Sequence, residues 1–170
     1  MVRTRIVLCG AAVALFGCGA SSGGEVATAQ MEATSGSEVS GVVEFRDTAE
    51  GVVVDVTLSG LEPRTTHGFH VHTTGDCSAP DGTSAGGHFA PDGHPHGLPP
   101  SSPRHAGDMG NVTADAEGRV HESRVVSTLE VEGDRSVIGR AVIVHADRDV
   151  GEQPSGGAGE RIACGVIRRR

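Results

Sequence analysis

Apolar and polar residues alternate with a period of two over several stretches of the chain. Between residues 52 and 59, valine or leucine fills every even position, and residues 29–33 and 39–45 alternate in a similar way. This period is typical of β-strands that bury one face. Further strand-like segments follow at residues 69–72, 112–113, 119–126, 136–145 and 161–167. Turn-forming residues at 47–51 and 115–118 predict two hairpins.

No stretch shows the 3.6-residue period of an amphipathic helix. Seven or eight short strands without helices predict an antiparallel sandwich or barrel. The composition agrees with this fold class, because the chain has 26 Gly and 8 Pro, which favour turns. Trp and Tyr are absent, so the core must be built mainly from Val, Ile, Leu and Ala.

Two long segments lack any sustained period. Residues 73–109 form a run of 37 residues rich in Gly, Pro, Asp and His, and residues 146–160 form a second irregular stretch. Loops of this length in a compact domain are usually functional or disordered. The first loop therefore needs something other than a hydrophobic core to order it.

The N-terminus has the pattern of an export signal. Arg3 and Arg5 precede an apolar stretch at residues 6–16 that is too short to span a bilayer as a helix. The sequence LFGC at residues 15–18 resembles a bacterial lipobox, although a small residue is usual where Phe16 stands. These features predict a lipoprotein-type signal with Cys18 as the lipidated residue.

The chain is thereby divided into three parts. We expect residues 1–18 to be the signal peptide, residues 19–26 a Gly/Ser-rich flexible tether and residues 27–170 the folded domain. The alternative is ordinary signal cleavage nearby, which leaves a soluble protein. Both alternatives export the protein to the periplasm or cell envelope, and only a lipid anchor at Cys18 would attach it to a membrane.

Charge and cysteine content narrow the function further. Without residues 1–18 the chain has 12 basic and 22 acidic residues, a net charge of −10 with His neutral. Such an acidic protein is not expected to bind nucleic acid, despite the arginines at residues 168–170. In an oxidising compartment Cys77 and Cys164 are expected to form a disulfide. A metal–thiolate site is the alternative, but neither cysteine has CxxC spacing.

The histidines carry the clearest chemical signal. His70 and His72 stand two residues apart on a predicted strand and so share one face, which suits two ligands of one metal or a solvated polar face. His145 ends an apolar strand, where a structural histidine is the more common interpretation. A larger set in or at the end of the long loop could form a tetrahedral zinc shell: His88, His96, His105 and Asp108. A hydrated polar loop is the alternative.

These segments, taken together, resemble one known family. The resemblance to copper/zinc superoxide dismutases extends from about residue 28 to residue 167 and rests on five segments, at residues 68–72, 88–89, 105–115, 138–145 and 156–167. The spacing of the loop histidines and Asp108 matches the zinc subloop of that family. The resemblance implies an all-β, antiparallel, eight-stranded Greek-key sandwich or flattened barrel with two long functional loops.

The resemblance also implies the ligand sets of one copper and one zinc ion. The implied copper ligands are His70, His72, His88 and His145. The implied zinc ligands are His88, His96, His105 and Asp108. His88 belongs to both sets because its imidazole bridges the two metals, and it is implied to take part in proton transfer.

Further residues gain roles from the same resemblance. Arg161 is implied to guide the substrate and Asp149 to hydrogen-bond His70 and His96. Cys77 and Cys164 are implied to form the disulfide. His67 is expected to be structural, His94 to compete only weakly with His96, and His121 to face solvent.

The implied activity is dismutation of superoxide to dioxygen and hydrogen peroxide, in the periplasm or cell envelope, with a homodimer as a candidate assembly. The alternative is a non-catalytic copper/zinc-binding module of the same fold. The loop at residues 146–160 is shorter than in eukaryotic members and lacks their lysine, so we expect weaker electrostatic steering of the anion.

Overall fold

The computed structural model describes residues 26–170. The predicted signal peptide, Cys18 and nearly all of the predicted tether lie outside the described residues. Within this range no helix is long and apolar enough to cross a membrane. The eight strands are β1 (Val26–Ala33), β2 (Ser40–Thr48), β3 (Gly51–Ser59), β4 (Thr66–His72), β5 (Asp108–Thr113), β6 (Val120–Val126), β7 (Ala141–His145) and β8 (Arg161–Arg169).

All of the strand pairs are antiparallel, in the order β5-β4-β7-β8-β1-β2-β3-β6. The connections from β3 to β4 and from β6 to β7 cross between the two halves of this sheet, which folds into a nearly closed, flattened barrel. The predicted all-β, eight-stranded class is therefore confirmed. A single 3₁₀ turn, Thr83–Ala85, is the one helical element in the described part of the chain.

Apolar residues at alternate positions along the strands form the core. In β3, Val52, Val54, Val56 and Leu58 are at most 2% exposed, whereas the residues between them are half-buried or exposed. The predicted turn after β2 forms a tight hairpin, in which Thr48 pairs with Gly51. Gly51 has φ +128°, and a Cβ there would lie 2.6 Å from the Cα of Ser127, so a larger side chain does not fit.

Several predicted strand boundaries were wrong, and the starts of β7 and β5 differ most from the prediction. The strand predicted at 136–145 begins only at Ala141, because the preceding residues form a turn in which Arg140 N–H donates to Val137 O (3.1 Å) and Gly139 has φ +74°. Strand β5 begins at Asp108, so the long loop ends one residue before that carboxylate. Asp108 is therefore held by a strand rather than by a loop.

Strands β5 and β6 are the two ends of the sheet, and a side chain joins them. Arg124 on β6 donates from Nη1 to Met109 O (2.5 Å) and from Nη2 to Asn111 O (2.7 Å), both on β5. Its guanidinium also pairs with Glu122 and lies 6.0 Å from the ring centroid of Phe69. One arginine thus gives two β5 carbonyls the hydrogen bonds that a further strand would otherwise supply.

Candidate metal centre

Four histidines from three parts of the fold meet on the face of β4 and β7 that is turned away from the main core. His70 and His72 lie on the same side of β4, His145 ends the neighbouring strand β7, and His88 pairs with His72 through an isolated β-bridge. One ring nitrogen from each lies within 4.8 Å of the others. We call His70, His72, His88 and His145 the four-histidine group.

A second group shares His88 with the first. His88, His96, His105 and Asp108 also offer ligand atoms within 4.8 Å of one another, and we call them the histidine–aspartate group. The Nδ1 atoms of His88, His96 and His105 lie 2.8, 3.0 and 3.2 Å from the Asp108 carboxylate. The structure thus brings together every residue that the sequence placed in the two ligand sets.

The ring nitrogens show which atoms are free to bind a cation. His72 Nδ1 donates to Gly86 O (2.8 Å), and His145 Nδ1 donates to Gly159 O (3.2 Å). A carbonyl oxygen can only accept, so these Nδ1 atoms carry the protons and each Nε2 keeps a lone pair. His70 Nε2 donates to Asp149 (2.8 Å), which leaves the lone pair on Nδ1.

The remaining nitrogens fit this assignment. Within the described part of the chain, five buried side-chain nitrogens have no hydrogen-bond partner: His70 Nδ1, His72 Nε2, His88 Nε2, His96 Nδ1 and His145 Nε2. Four of them are one nitrogen from each member of the four-histidine group. Unpartnered buried polar atoms are costly in a protein interior, and a bound metal ion would satisfy them.

His96 shows the same need in the second group. Its Nε2 faces Asp149 Oδ1 at 3.1 Å, so its Nδ1 carries the lone pair. That Nδ1 lies 3.0 Å from Asp108 Oδ2 without forming a hydrogen bond to it. A lone pair beside a carboxylate, with no proton between them, is an arrangement that a cation stabilises. Three imidazoles and one carboxylate suit zinc.

Asp149 connects the two groups by hydrogen-bonding one histidine of each. Its carboxylate accepts from His70 and His96, and the Asn111 amide bonds its backbone N–H (2.8 Å) and C=O (3.0 Å). Burial alone would raise the pKa of Asp149, but hydrogen bonds from His70, Gly151 N–H and His96 hold it well below its usual range. The predicted contacts of Asp149 with both histidines are present, and this carboxylate fixes the orientation of each ring.

Burial also keeps three of the imidazoles neutral, those of His70, His72 and His145. The pKa falls to about 4 for His70, about 2 for His72 and about 3 for His145. Burial is the largest cause in each case, and repulsion from a neighbouring imidazole adds to it. Neutral rings at neutral pH present their lone pairs, which metal binding requires.

These lowered pKa values predict acid sensitivity of the metal-free protein. Between about pH 6.5 and 4 the unfolded chain binds more protons than the folded chain, so stability falls as the pH falls through this window. We expect the metal-free protein to lose at least about 2 kcal/mol of unfolding free energy between pH 7.5 and 5. Urea unfolding across this range measures the loss. His121→Asn, at an exposed site, should leave the slope unchanged, and a flat profile would contradict the prediction.

The centre opens into a cavity of about 480 Å³. Its lining includes His72, His88, His105, His145 and Arg161. Arg161 is half-buried, and its Nη1 and Nη2 donate to Gly82 O (2.6 Å) and Gly86 O (2.7 Å). These glycines flank the 3₁₀ turn of the long loop. A fixed planar cation at the edge of this cavity suits the binding of a small anion.

A disulfide ties the long loop to the strand that carries Arg161. Cys77 and Cys164 are bonded, with Cα atoms 5.8 Å apart and a sequence separation of 87 residues. This observation decides between the two alternatives for the cysteines in favour of the disulfide. Asp81 and Glu160 line a smaller cavity beside Arg161, so the approach to the arginine is partly acidic.

The other histidines lie outside both groups. His67 is buried and bonds Thr65 Oγ1 (2.6 Å) and His145 O (2.9 Å), as expected of a structural residue. His94 and His121 are exposed. Gln153, whose side-chain amide bonds the backbone of His96, was not predicted from the sequence. Its position in an irregular loop gives no signal from spacing or residue type.

Comparisons with known proteins agree with this geometry. The family model described as copper/zinc superoxide dismutase matches residues 39–167. A curated superoxide dismutase [Cu-Zn] of Paramecium bursaria Chlorella virus 1 is 44% identical over 137 residues, covering 76% of this chain and 72% of the relative. Superoxide dismutase [Cu-Zn] 2 of Brassica juncea is 43% identical over 137 residues, covering 76% of this chain and 89% of the relative. A crystal structure of the clock protein EA4 superposes with a TM-score of 0.79 at 34% identity, covering 86% of this chain and 96% of its own.

Proposed function

The chain belongs to the copper/zinc superoxide dismutase family, and we propose that it dismutes superoxide outside the cytoplasm through the two groups that share His88. Dismutation to dioxygen and hydrogen peroxide is the activity of this family, with copper and zinc as cofactors. The observation that carries the assignment of residues is the set of unpartnered ring nitrogens, one from each member of the four-histidine group.

We assign copper to His70, His72, His88 and His145, and zinc to His88, His96, His105 and Asp108. Copper supplies the one-electron chemistry of the reaction, and imidazole ligands suit both of its oxidation states. Zinc, which has no redox chemistry, suits the mixed nitrogen and carboxylate set. The histidine–aspartate group lies mostly in the long loop and gives that loop the ordering that a hydrophobic core does not supply.

His88 is suited to move a proton. Its Nδ1 lies 2.8 Å from Asp108 Oδ1. Its Nε2 has no hydrogen-bond partner and faces the other three members of the four-histidine group. Peroxide formation consumes two protons, and an imidazole that lines the cavity can hold one at Nε2 and donate it to the reduced product. Arg161 binds and orients the anion at the edge of the same cavity.

Arg161 provides the first test. Arg161→Ile in the metal-loaded protein is expected to lower kcat/KM for superoxide about tenfold or more, because the fixed cation is lost. Inhibition of a superoxide-dependent dye reaction measures the rate, and metal analysis must show unchanged loading. Arg119→Ile, at an exposed arginine on the hairpin before β6, is the control. A fully loaded wild type without activity above free copper would overturn the proposal and favour the non-catalytic metal-binding module.

We also propose that Cys18 anchors the protein through lipid. The lipobox-like sequence at residues 15–18 supports this proposal. The fold leaves room for an anchor, because β1 begins at Val26, and Ala27 pairs with Arg169 at the far end of β8 from Arg161. A nine-residue strand spans roughly 26 Å. An anchor before β1 would thus be attached at the end of β8 that lies away from Arg161.

The anchor has its own experiment. Cys18→Ala is expected to shift the protein from the membrane fraction to the soluble fraction of the cell envelope, with dismutase activity per molecule unchanged. Immunoblotting of the two fractions measures the shift, and Cys9→Ala, nearer the start of the apolar stretch, is the control. Unchanged membrane association of Cys18→Ala would rule out this anchor and leave the export proposal intact. A homodimer remains a prediction.

A further inference from the structure

The shortened loop between β7 and β8 holds the main chain of His96 with one side chain. The N–H of His96 donates to Gln153 Oε1 (3.2 Å), and Gln153 Nε2 donates to His96 O (2.8 Å). The amide of Gln153 thus satisfies the backbone donor and the backbone acceptor of the same residue. Such a reciprocal pair fixes the position of the main chain at that residue.

The loop therefore contacts His96 at three points. Two are the Gln153 bonds, and the third is the bond between His96 Nε2 and Asp149 Oδ1 (3.1 Å). The loop that supplies them is itself braced, since Val150 N–H donates to Gly156 O (2.9 Å) and Gly151 N–H donates to Asp149 Oδ1 (2.8 Å). Asp149 orients the ring, whereas Gln153 fixes the backbone that carries it.

Of two nearby histidines, His96 is the one held in this way. His94 is exposed and His96 is 3% exposed, although both lie in the same Gly- and Pro-rich segment. The Gln153 bonds hold the main chain of His96 where its Nδ1 lies 3.0 Å from Asp108 Oδ2. Displacement of this main chain would break both Gln153 bonds and the bond from His96 Nε2 to Asp149.

We propose that Gln153 is a positioning residue that holds the main chain of the zinc ligand His96 and thereby couples the short loop to the zinc site. The inference rests on the assignment of zinc to the histidine–aspartate group. Gln153 does not reach the reacting atoms, so its effect is expected on metal retention rather than directly on electron transfer. Residues that orient metal ligands in this way typically change metal affinity 10- to 100-fold when they are lost.

The experiment measures zinc release from the metal-loaded mature protein to an excess of a chromogenic chelator. Gln153→Ala is expected to speed release about tenfold. Gln153→Glu keeps an acceptor for His96 N–H but loses the donor to His96 O, so an intermediate rate is expected. Gln30→Ala is the matched control, because Gln30 is exposed on β1, far along the chain from this loop. Release from Gln153→Ala at the wild-type rate would overturn the proposal.

A second variant tests whether the effect belongs to the Gln153 bonds. His94→Ala changes an exposed residue two positions before His96 and is expected to release zinc at the wild-type rate. If His94→Ala speeds release as much as Gln153→Ala does, the proposal is overturned, because any change in this segment would then have the same effect. Failure of the zinc assignment would look different, because the wild-type protein would then not retain one zinc per chain after reconstitution.

Discussion

Replacing His88 with glutamine is expected to lower the dismutation rate about a hundredfold or more. Within the described part of the chain His88 is the residue common to the two ligand groups, so its loss removes one ligand from each. The same change removes the imidazole that can hold a proton at Nε2. Glutamine keeps a polar side chain of moderate size, which limits the disturbance of the neighbouring loop.

Two measurements separate the causes of this loss. A superoxide assay gives the rate, and metal analysis of the same sample gives the copper and zinc content per chain. We expect lower zinc retention and a residual copper content that does not restore activity. His121→Gln changes an exposed histidine on β6 and should leave both quantities unchanged. Activity within a few-fold of wild type in fully loaded His88→Gln would contradict the shared role.

Removal of the disulfide is expected to have the largest effect on stability. Cys77 and Cys164 are 87 residues apart in sequence, and closing a loop of that length stabilises a fold by roughly 4–5 kcal/mol in the chain-entropy model. The double variant Cys77→Ser, Cys164→Ser should lose about that much unfolding free energy. Urea unfolding of the metal-free protein measures this loss relative to the wild type with its disulfide intact. The reduced wild type, which lacks the same bond, is the second reference.

The disulfide should also affect the active site. Gly82 and Gly86, whose carbonyls accept from Arg161, lie in the long loop a few residues after Cys77. Without the covalent tie this loop can move away from β8, so we expect kcat/KM to fall together with stability. A variant that loses stability while its kcat/KM stays at the wild-type value would show that the loop holds Arg161 without the bond.

The fold was largely predictable because most strands bury one face. Alternation at residues 52–59 predicted β3 almost to its ends, and the same signal located β1 and β2. The start of β7 was wrong because Val137 and Ile138 are apolar without belonging to a strand. The turn there depends on the positive φ of Gly139 and on a hydrogen bond from Gly139 N–H to Ile167 O, and apolar patterning does not reveal either.

The metal centre was predictable at the level of its side chains. His70 and His72 had to share a face, and the loop histidines had the spacing of a zinc site. The partners that orient them were not predictable. Gly86 O and Gly159 O determine the tautomers of His72 and His145, and a backbone carbonyl leaves no mark on the sequence. The role of Gln153 was not predictable for the same reason, since its partner is the main chain of His96.

The bond from Arg124 across the ends of the sheet has a consequence for behaviour at high concentration. An unpaired edge strand is a template on which a second chain can add a strand and begin to aggregate. Arg124 occupies two of the carbonyls on β5 that such a strand would use. Neither Arg124 nor its acceptors belong to the ligand groups. Loss of the metals is therefore expected to loosen the loops while this edge stays covered against self-association.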